Sequence, residues 1–220
     1  MGKKEKPFFS VIISTFNRPK KLAKALRSLK VQKYTNWEVI ISDDGSVQDN
    51  RNVVGRFSKT VPNNVVYIRH KHVGLAESRN LAARKAEGKF VTFLDDDDRY
   101  DRLHLIKRWE LLKKNPRAKF LHGGVILKGD PCLPDRDDPK KLVHISKVVV
   151  GATFVVQKAL FFKLGGFPKV AFGEDTDFFR KALAAKIPVI RSQSKTYYYH
   201  RSGASITSNI LKKPRNSQNI

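Results

Sequence analysis

Lys89-Phe90-Val91-Thr92-Phe93-Leu94 runs without a break into Asp95-Asp96-Asp97-Asp98. A short apolar, β-branched and aromatic run of this kind is a buried strand, and four carboxylates stand at its end. Alternate residues of an extended segment point the same way, so Asp95 and Asp97 would flank one site and offer hard oxygen donors to a divalent ion bridging a diphosphate. An acidic loop or helix cap is the alternative these residues leave open. Residues 75–87, just before the strand, read as a helix closed by Gly88.

The same alternation continues toward the N-terminus. Residues 8–14 form a β-rich run, Pro19 marks a helix start, and Leu22, Leu26 and Leu29 make one apolar stripe behind it. A second strand over 37–42, packed at its start by Trp37, ends at Asp43-Asp44-Gly45-Ser46, and a third covers 65–69. Repeated β-α units predict a largely parallel sheet with helices on both faces, whose sites lie beyond the carboxyl ends of the strands. That edge would gather Ser14-Thr15-Phe16-Asn17-Arg18, Asp43-Asp44-Gly45-Ser46 and the four aspartates.

Beyond them, a helix over 101–114 carries Trp109 on its apolar face and stops near Pro116. Strands are expected over 120–128 and 148–156, around a Pro- and Asp-rich loop, followed by short helices over 158–164 and 174–185. Residues 187–191 and 195–200 read as late strands and 212–220 as a loose polar tail, with no internal repeat.

Composition narrows the classes. In 220 residues, 40% hydrophobic and 29% charged, there is material for one domain with a real core, and too much apolar content for a disordered chain despite a net charge of +24. Cys132 is the single cysteine, which excludes an intrachain disulfide framework and a Cys-based zinc finger and fits a reducing compartment. The longest nearly apolar run, 148–156, is far short of the roughly 20 residues that span a bilayer. The basic start Met1-Gly2-Lys3-Lys4-Glu5-Lys6 leads into no cleavable signal, so a cytoplasmic protein is expected, with peripheral contact at the inner membrane surface left open. The charge attracts nucleic acid, anionic lipid and nucleotide phosphates alike. Most of the 20 acidic residues fall in four clusters, around 43–49, 95–101, 130–138 and 174–177, and crowded like charges suggest sites; for the 130–138 group a solvated loop is the simpler reading. The first βα turn lacks the glycines of a dinucleotide fingerprint, and no Walker-type loop occurs.

Five segments read together carry a resemblance. Val11-Ile12-Ile13-Ser14-Thr15-Phe16-Asn17-Arg18, Val39-Ile40-Ile41-Ser42-Asp43-Asp44-Gly45-Ser46, Gly74 with Arg79-Asn80, Phe93-Leu94-Asp95-Asp96-Asp97-Asp98, and Gly165-Gly166-Phe167 with Gly173-Glu174-Asp175 occur in one order. The chain resembles a family-two glycosyltransferase of GT-A fold from about residue 8 to about residue 208. The resemblance implies an α/β, Rossmann-like, mostly parallel sheet with helices on both faces and a smaller acceptor-side subregion. It further implies a basic extension over 1–7, one domain over 8–208 with a nucleotide-sugar half (8–115) and an acceptor half (116–208), and a tail over 209–220.

Site roles follow from the same resemblance. The turn with Thr15, Asn17 and Arg18 would hold the nucleotide together with Asp43, accepting from the base, and Asp44. Arg79 would pair with phosphate, Asp95 and Asp96 would reach the donor sugar or ribose, and Asp97 would bind Mn2+ or Mg2+, with the register of the Asp-x-Asp motif open by one residue. His200 would complete the metal site or touch diphosphate, Asp175 would be the catalytic base beside Glu174 on the acceptor side, and Arg180 would be the basic residue later in that helix. For Asp43-Asp44 a plain turn, for Arg79 a surface position, for Glu174-Asp175 helix capping and for His200 a structural role are the competing readings.

The expected reaction is an inverting, metal-dependent, non-processive transfer from a nucleoside-diphosphate sugar, UDP-linked by preference, to a glycan or lipid-linked acceptor. The chain lacks the Gln-x-x-Arg-Trp motif of processive members. An anionic membrane is a further expected contact, from charge alone, and no specific nucleic acid is expected. A nucleic-acid-binding protein or metal-dependent nuclease, and a nucleotidyltransferase, are the competing classes.

Overall fold

The computed structural model describes residues 6–201. The expected tail, and the stretch 202–208 of the resemblance, lie outside the described residues. In chain order the elements are β1 (Phe9–Thr15), α1 (Pro19–Lys30), β2 (Trp37–Asp43), α2 (Arg51–Ser58), β3 (Val65–Arg69), α3 (Leu75–Lys85), β4 (Phe90–Phe93), β5 (Arg99–Tyr100) and α4 (His104–Lys114). There follow β6 (Phe120–His122), β7 (Val125–Lys128), β8 (Cys132–Pro134), β9 (Leu142–His144), β10 (Val155–Gln157), α5 (Lys158–Lys163), α6 (Glu174–Ala184), β11 (Val189–Arg191) and β12 (Tyr197–His200).

A seven-stranded sheet in the order β11-β6-β10-β4-β1-β2-β3 forms the centre, parallel except for β10, which runs antiparallel to both neighbours. A smaller sheet, β5-β12-β7, and the hairpin β8-β9 lie beside it. Alternation along the strands sends Val11, Ile13, Val39 and Ile41 to one side, against Leu22, Leu26 and Leu29 of α1, Val54 and Phe57 of α2 and Leu105 and Leu112 of α4. Ile12, Ile40, Val91 and Phe93 face the other side, against alanines of α3, Leu160 and Phe161 of α5 and Phe178 of α6. Both faces are therefore covered, which is what lets the central strands be continuously apolar. Phe93, Phe154, Phe161, Phe167 and Phe178 are buried together, each contributing roughly 1.5–3 kcal/mol of transfer free energy.

Several boundaries differ from the sequence expectation. The stretch 120–128 is not one strand, because Gly123 and Gly124, with φ of +87° and +81°, turn the chain from β6 in the large sheet to β7 in the small one. Of 148–156 only the end is strand; Gly151–Thr153 is a single 3-10 turn. Helix α3 ends at Lys85, and Gly88 serves instead where the backbone passes β1, since a Cβ there would lie 2.5 Å from Ser10 Oγ. Helix α2 and the hairpin β8-β9 were not expected from the sequence, whereas Trp37 packs at the start of β2 as expected.

Register then places the site. Thr15 pairs with Asp43 at the ends of β1 and β2, and Ile12 pairs with Phe93, so β4 delivers Asp95 and its neighbours to the same edge.

Candidate functional site

A cleft of about 620 Å3 opens at that edge, a size suited to a nucleotide-sized ligand. Thr15, Arg18, Asp44, Arg79, Asp95, Asp96, Asp97, Glu174, Asp175 and His200 all line it. All three polar motifs of the sequence thus reach one cavity, and the start of α6 closes its far side.

The four aspartates do not extend the strand; Asp98 N donates to Asp95 O at 3.1 Å and the segment turns. The alternation expected of Asp95 and Asp97 is therefore replaced by a turn in which Asp95, Asp96 and Asp97 all line the cavity. Asp95 accepts from Arg79. Asp96 accepts from the Thr15 hydroxyl at 2.8 Å and from Arg18 at 3.2 Å, and burial raises its carboxyl to about 6. Asp97 is held by Arg18 and Lys21, each at 3.2 Å. Asp98 is buried, like Asp96, but lies outside the cavity lining: it accepts from the Tyr197 hydroxyl and the His200 amide, both at 2.7 Å, and burial followed by the charge of Asp95 raises it to about 8. It fastens β12, and so His200, to the acidic turn.

Two of the expected site residues stand outside the cavity lining. Asp43 is fully buried and outside the cavity; its carboxylate accepts from Ser46 N, Asn50 Nδ2 and the Tyr67 hydroxyl at 2.7–2.8 Å. Burial alone would raise its pKa, but those hydrogen bonds outweigh it and hold Asp43 below the usual carboxylate range. Asp44, not Asp43, faces the ligand space, oriented by the amides of Val73 and Gly74 and by His72. Asn17 is likewise outside the lining residues. With φ of +55° it builds the turn, accepting from Val47 N and donating its own amide to Ser46 Oγ.

Arg79 is not a surface residue. Its side chain is 4% exposed, stacks over Phe93 and Phe167, and joins Asp95 to Glu174, the latter at 2.9 Å. It therefore ties the acidic turn to α6 rather than standing free for phosphate. Burial and then the charge of Asp175 push the pKa of Glu174 up, against the pull of Arg79 and of its own backbone amide. Asp175 is also raised by burial, opposed by the amides of Gly151 and Thr176, which donate at 2.8 and 2.7 Å. Gly151 must be small here, since a Cβ would stand 2.5 Å from that of Asp175. Arg180 faces away, paired with the exposed Asp137.

Residues that the sequence reading missed also line the cavity. His72 packs against Phe16 with the rings tilted by 31° and their centroids 4.4 Å apart, at the Asp44 end, and Tyr199 stands beside His200. His72 lies in a loop with no spacing signal to mark it. Among the described residues no three His, Cys, Asp or Glu side chains converge as a metal cage. The cavity carboxylates, above all Asp97, are nonetheless oxygen donors of the kind that Mg2+ and Mn2+ use alongside phosphate oxygens, so the residues fit an ion shared with a ligand.

Comparison with known proteins points to one family. The family described as Glycosyl transferase family 2 matches residues 10–130. An uncharacterized glycosyltransferase of Haemophilus influenzae is 31% identical over 185 residues, 79% of this chain and 61% of that protein. A GalNAc(5)-diNAcBac-PP-undecaprenol beta-1,3-glucosyltransferase of Campylobacter jejuni is 39% identical over 93 residues, 42% of this chain and 30% of that protein. The crystal structure of S. aureus TarS 1-349 in complex with UDP-GlcNAc superposes with a TM-score of 0.72 at 25% identity, covering 91% of this chain and 60% of that one. This chain spans less than two thirds of the length of each.

Proposed function

The chain belongs to glycosyl transferase family 2, and from that membership we propose that it transfers a sugar from a nucleoside diphosphate to an acceptor hydroxyl with inversion. The observation that carries this reading is the convergence of Asp44, Asp95, Asp97 and Asp175 with Arg18 and Arg79 on one cleft at the carboxyl ends of β1, β2 and β4. Residues up to 115 contribute the donor half and those from 116 the acceptor half.

The base of the nucleotide lies at the Asp44 end, where Phe16 and His72 offer an aromatic face. UDP is the preferred base and phosphate carrier, supported by the UDP-GlcNAc complex of the TarS relative. The diphosphate lies by Arg18 and Lys21, at the start of α1, whose first turn carries no acid. Asp97 is the residue that would hold Mg2+ or Mn2+ there, with His200 close by, and a bound divalent ion supplies neutralisation of charge on the departing diphosphate. Asp95, oriented by Arg79, and Asp96, oriented by Thr15, accept from donor hydroxyls.

Asp175 takes the proton from the acceptor hydroxyl while that oxygen forms its bond to the anomeric carbon and the bond from that carbon to the diphosphate oxygen breaks. A carboxyl raised by burial suits this role, since a base with a higher pKa takes the proton more readily. Glu174 faces the same space but is ion-paired with Arg79, whereas Asp175 is held by the Gly151 and Thr176 amides and forms no direct ion pair among the described residues, which favours Asp175 as the base. A lipid-linked acceptor is supported by the undecaprenol-linked substrate named for the Campylobacter relative.

The test is a screen of UDP-, GDP- and dTDP-sugars against glycan and lipid-linked acceptors, read by nucleoside diphosphate release and by the anomeric configuration of the product. Release of one nucleoside diphosphate with an inverted glycoside is the expected result. Pyrophosphate release, or a retained anomer, contradicts it.

A further inference from the structure

Helix α1 exposes a face made only of cations. Its exposed residues are Lys20, Lys24, Arg27 and Lys30, while Leu22, Ala25, Leu26, Ser28 and Leu29 are buried beneath them. Spacings of four, three and three residues put the four charges along one side, over about 15 Å of helix axis. The helix contains no acidic residue, and none of the four cations forms an ion pair among the described residues. Helix α2 packs beside it and adds the exposed Arg56 and Lys59, also without an ion pair among the described residues, and Arg51 beside Asp49.

Such a stripe works against its own helix. Like charges three and four residues apart repel, and Lys20 sits at the positive end of the helix dipole. A facing anionic surface removes both penalties. We propose that the outer face of α1 and α2 is a docking surface for an anionic lipid bilayer, with Lys20, Lys24, Arg27 and Lys30 against the headgroups. A bilayer fits better than nucleic acid because none of the exposed positions of α1 and α2 carries an aromatic ring on which a base could stack, and because Val31, 56% exposed, ends the stripe with an apolar side chain suited to the headgroup boundary. The N-terminus of α1 opens on the cleft through Arg18 and Lys21. Docking therefore brings the cleft to the membrane, where an acceptor on a lipid carrier would be met; that consequence rests on the proposed transfer reaction, and the docking itself does not.

The experiment is co-sedimentation of the full chain with phosphatidylcholine vesicles, with and without one third phosphatidylglycerol, near physiological salt. Wild type is expected to bind the anionic vesicles at least tenfold more strongly. The variant Lys20→Gln/Lys24→Gln/Arg27→Gln/Lys30→Gln should lose at least tenfold, given about fivefold per basic residue at a membrane surface. It should also melt no lower than wild type, because repulsion is relieved, and bind UDP unchanged. A control with the same loss of charge on the opposite side, Lys163→Gln/Lys169→Gln/Lys181→Gln/Lys186→Gln, should keep most of the binding. Equal loss in both variants reduces the effect to net charge and overturns the proposal. Salt-resistant binding of duplex DNA that falls with the α1 variant, while vesicle binding stays, overturns it in favour of nucleic acid.

Discussion

Substituting Arg79→Met removes the guanidinium shared by Asp95 and Glu174 and keeps most of the volume packed on Phe93 and Phe167. With the side chain 4% exposed, this leaves Glu174 partly buried beside Asp175 and Asp95 without its counter-charge. Removing one partner of a buried ion pair costs about 3–5 kcal/mol. In a chain of this size each kcal/mol lowers the melting midpoint by about 2–4 °C, so a fall of roughly 6–20 °C is expected near pH 8. The loss should depend on pH. Burial and Asp175 already raise Glu174 while Arg79 opposes them, so the variant binds a proton there more readily when folded than when unfolded. A group whose folded pKa is raised contributes stability below its unfolded value and loses it as pH rises through the folded value. The deficit should therefore be largest near pH 8 and shrink toward pH 5, as read by urea denaturation of both chains across that range. Should the single variant fail to fold near pH 8, Arg79→Met/Glu174→Gln should restore much of the loss. A deficit below about 1 kcal/mol, or one that pH does not change, refutes the ion-pair account.

Asp175→Asn should lower kcat by about 100-fold or more while the affinity for UDP stays put, because the base acts on the acceptor and not on the donor; parallel loss of both in turnover and calorimetric assays contradicts the assignment. The neighbouring acids of the second strand should separate in the same pair of assays. Asp43→Asn should destabilise the fold by about 2–3 kcal/mol through its three buried hydrogen bonds, whereas Asp44→Asn should weaken nucleotide binding with a smaller effect on unfolding. Stability of the free protein should fall between about pH 6.5 and 8. Asp98, raised to about 8, contributes fully only below the unfolded carboxylate value and loses that contribution as pH rises through its folded value, whereas the buried His104 and His122, held below the usual imidazole value, add their opposing gain only up to about pH 6.5; a denaturation free energy that rises from about pH 6.5 to 8 contradicts this.

The N-terminal half was legible because its strands are continuous apolar runs and its helices carry clean stripes, so β-α order and the edge where the polar motifs meet followed from pattern alone. Helix α2 escaped because Arg-Asn-Val-Val-Gly-Arg-Phe-Ser is short, with two β-branched residues and a glycine; Val54 and Phe57 fold as helix only by packing on α1. The hairpin β8-β9 escaped because its strands are three residues each, inside a segment rich in turn formers. Within the site, sequence identified the acidic segments but not which carboxylate of each faces the cleft. Asp43 and Asp44 differ by one position at a strand end, and the choice is made by Asn50 and Tyr67 on one side and the 73–74 amides on the other. The same holds for Asp98, which only the tertiary placement of Tyr197 marks as a fastening residue. Arg79 was legible as important, but its role as a tie between β4 and α6 depends on a contact spanning ninety-five residues.

The central claim, a nucleoside diphosphate site built around Asp44 and Asp97, is tested most directly by calorimetric titration of UDP, GDP and dTDP with Mn2+, with Mg2+ and with chelator. One nucleoside diphosphate, UDP first, should bind in the presence of a divalent ion, and Asp97→Ala should lose that ion-dependent affinity. If none binds more tightly than inorganic polyphosphate, or if Asp97→Ala binds as wild type does, the cleft is not the site described.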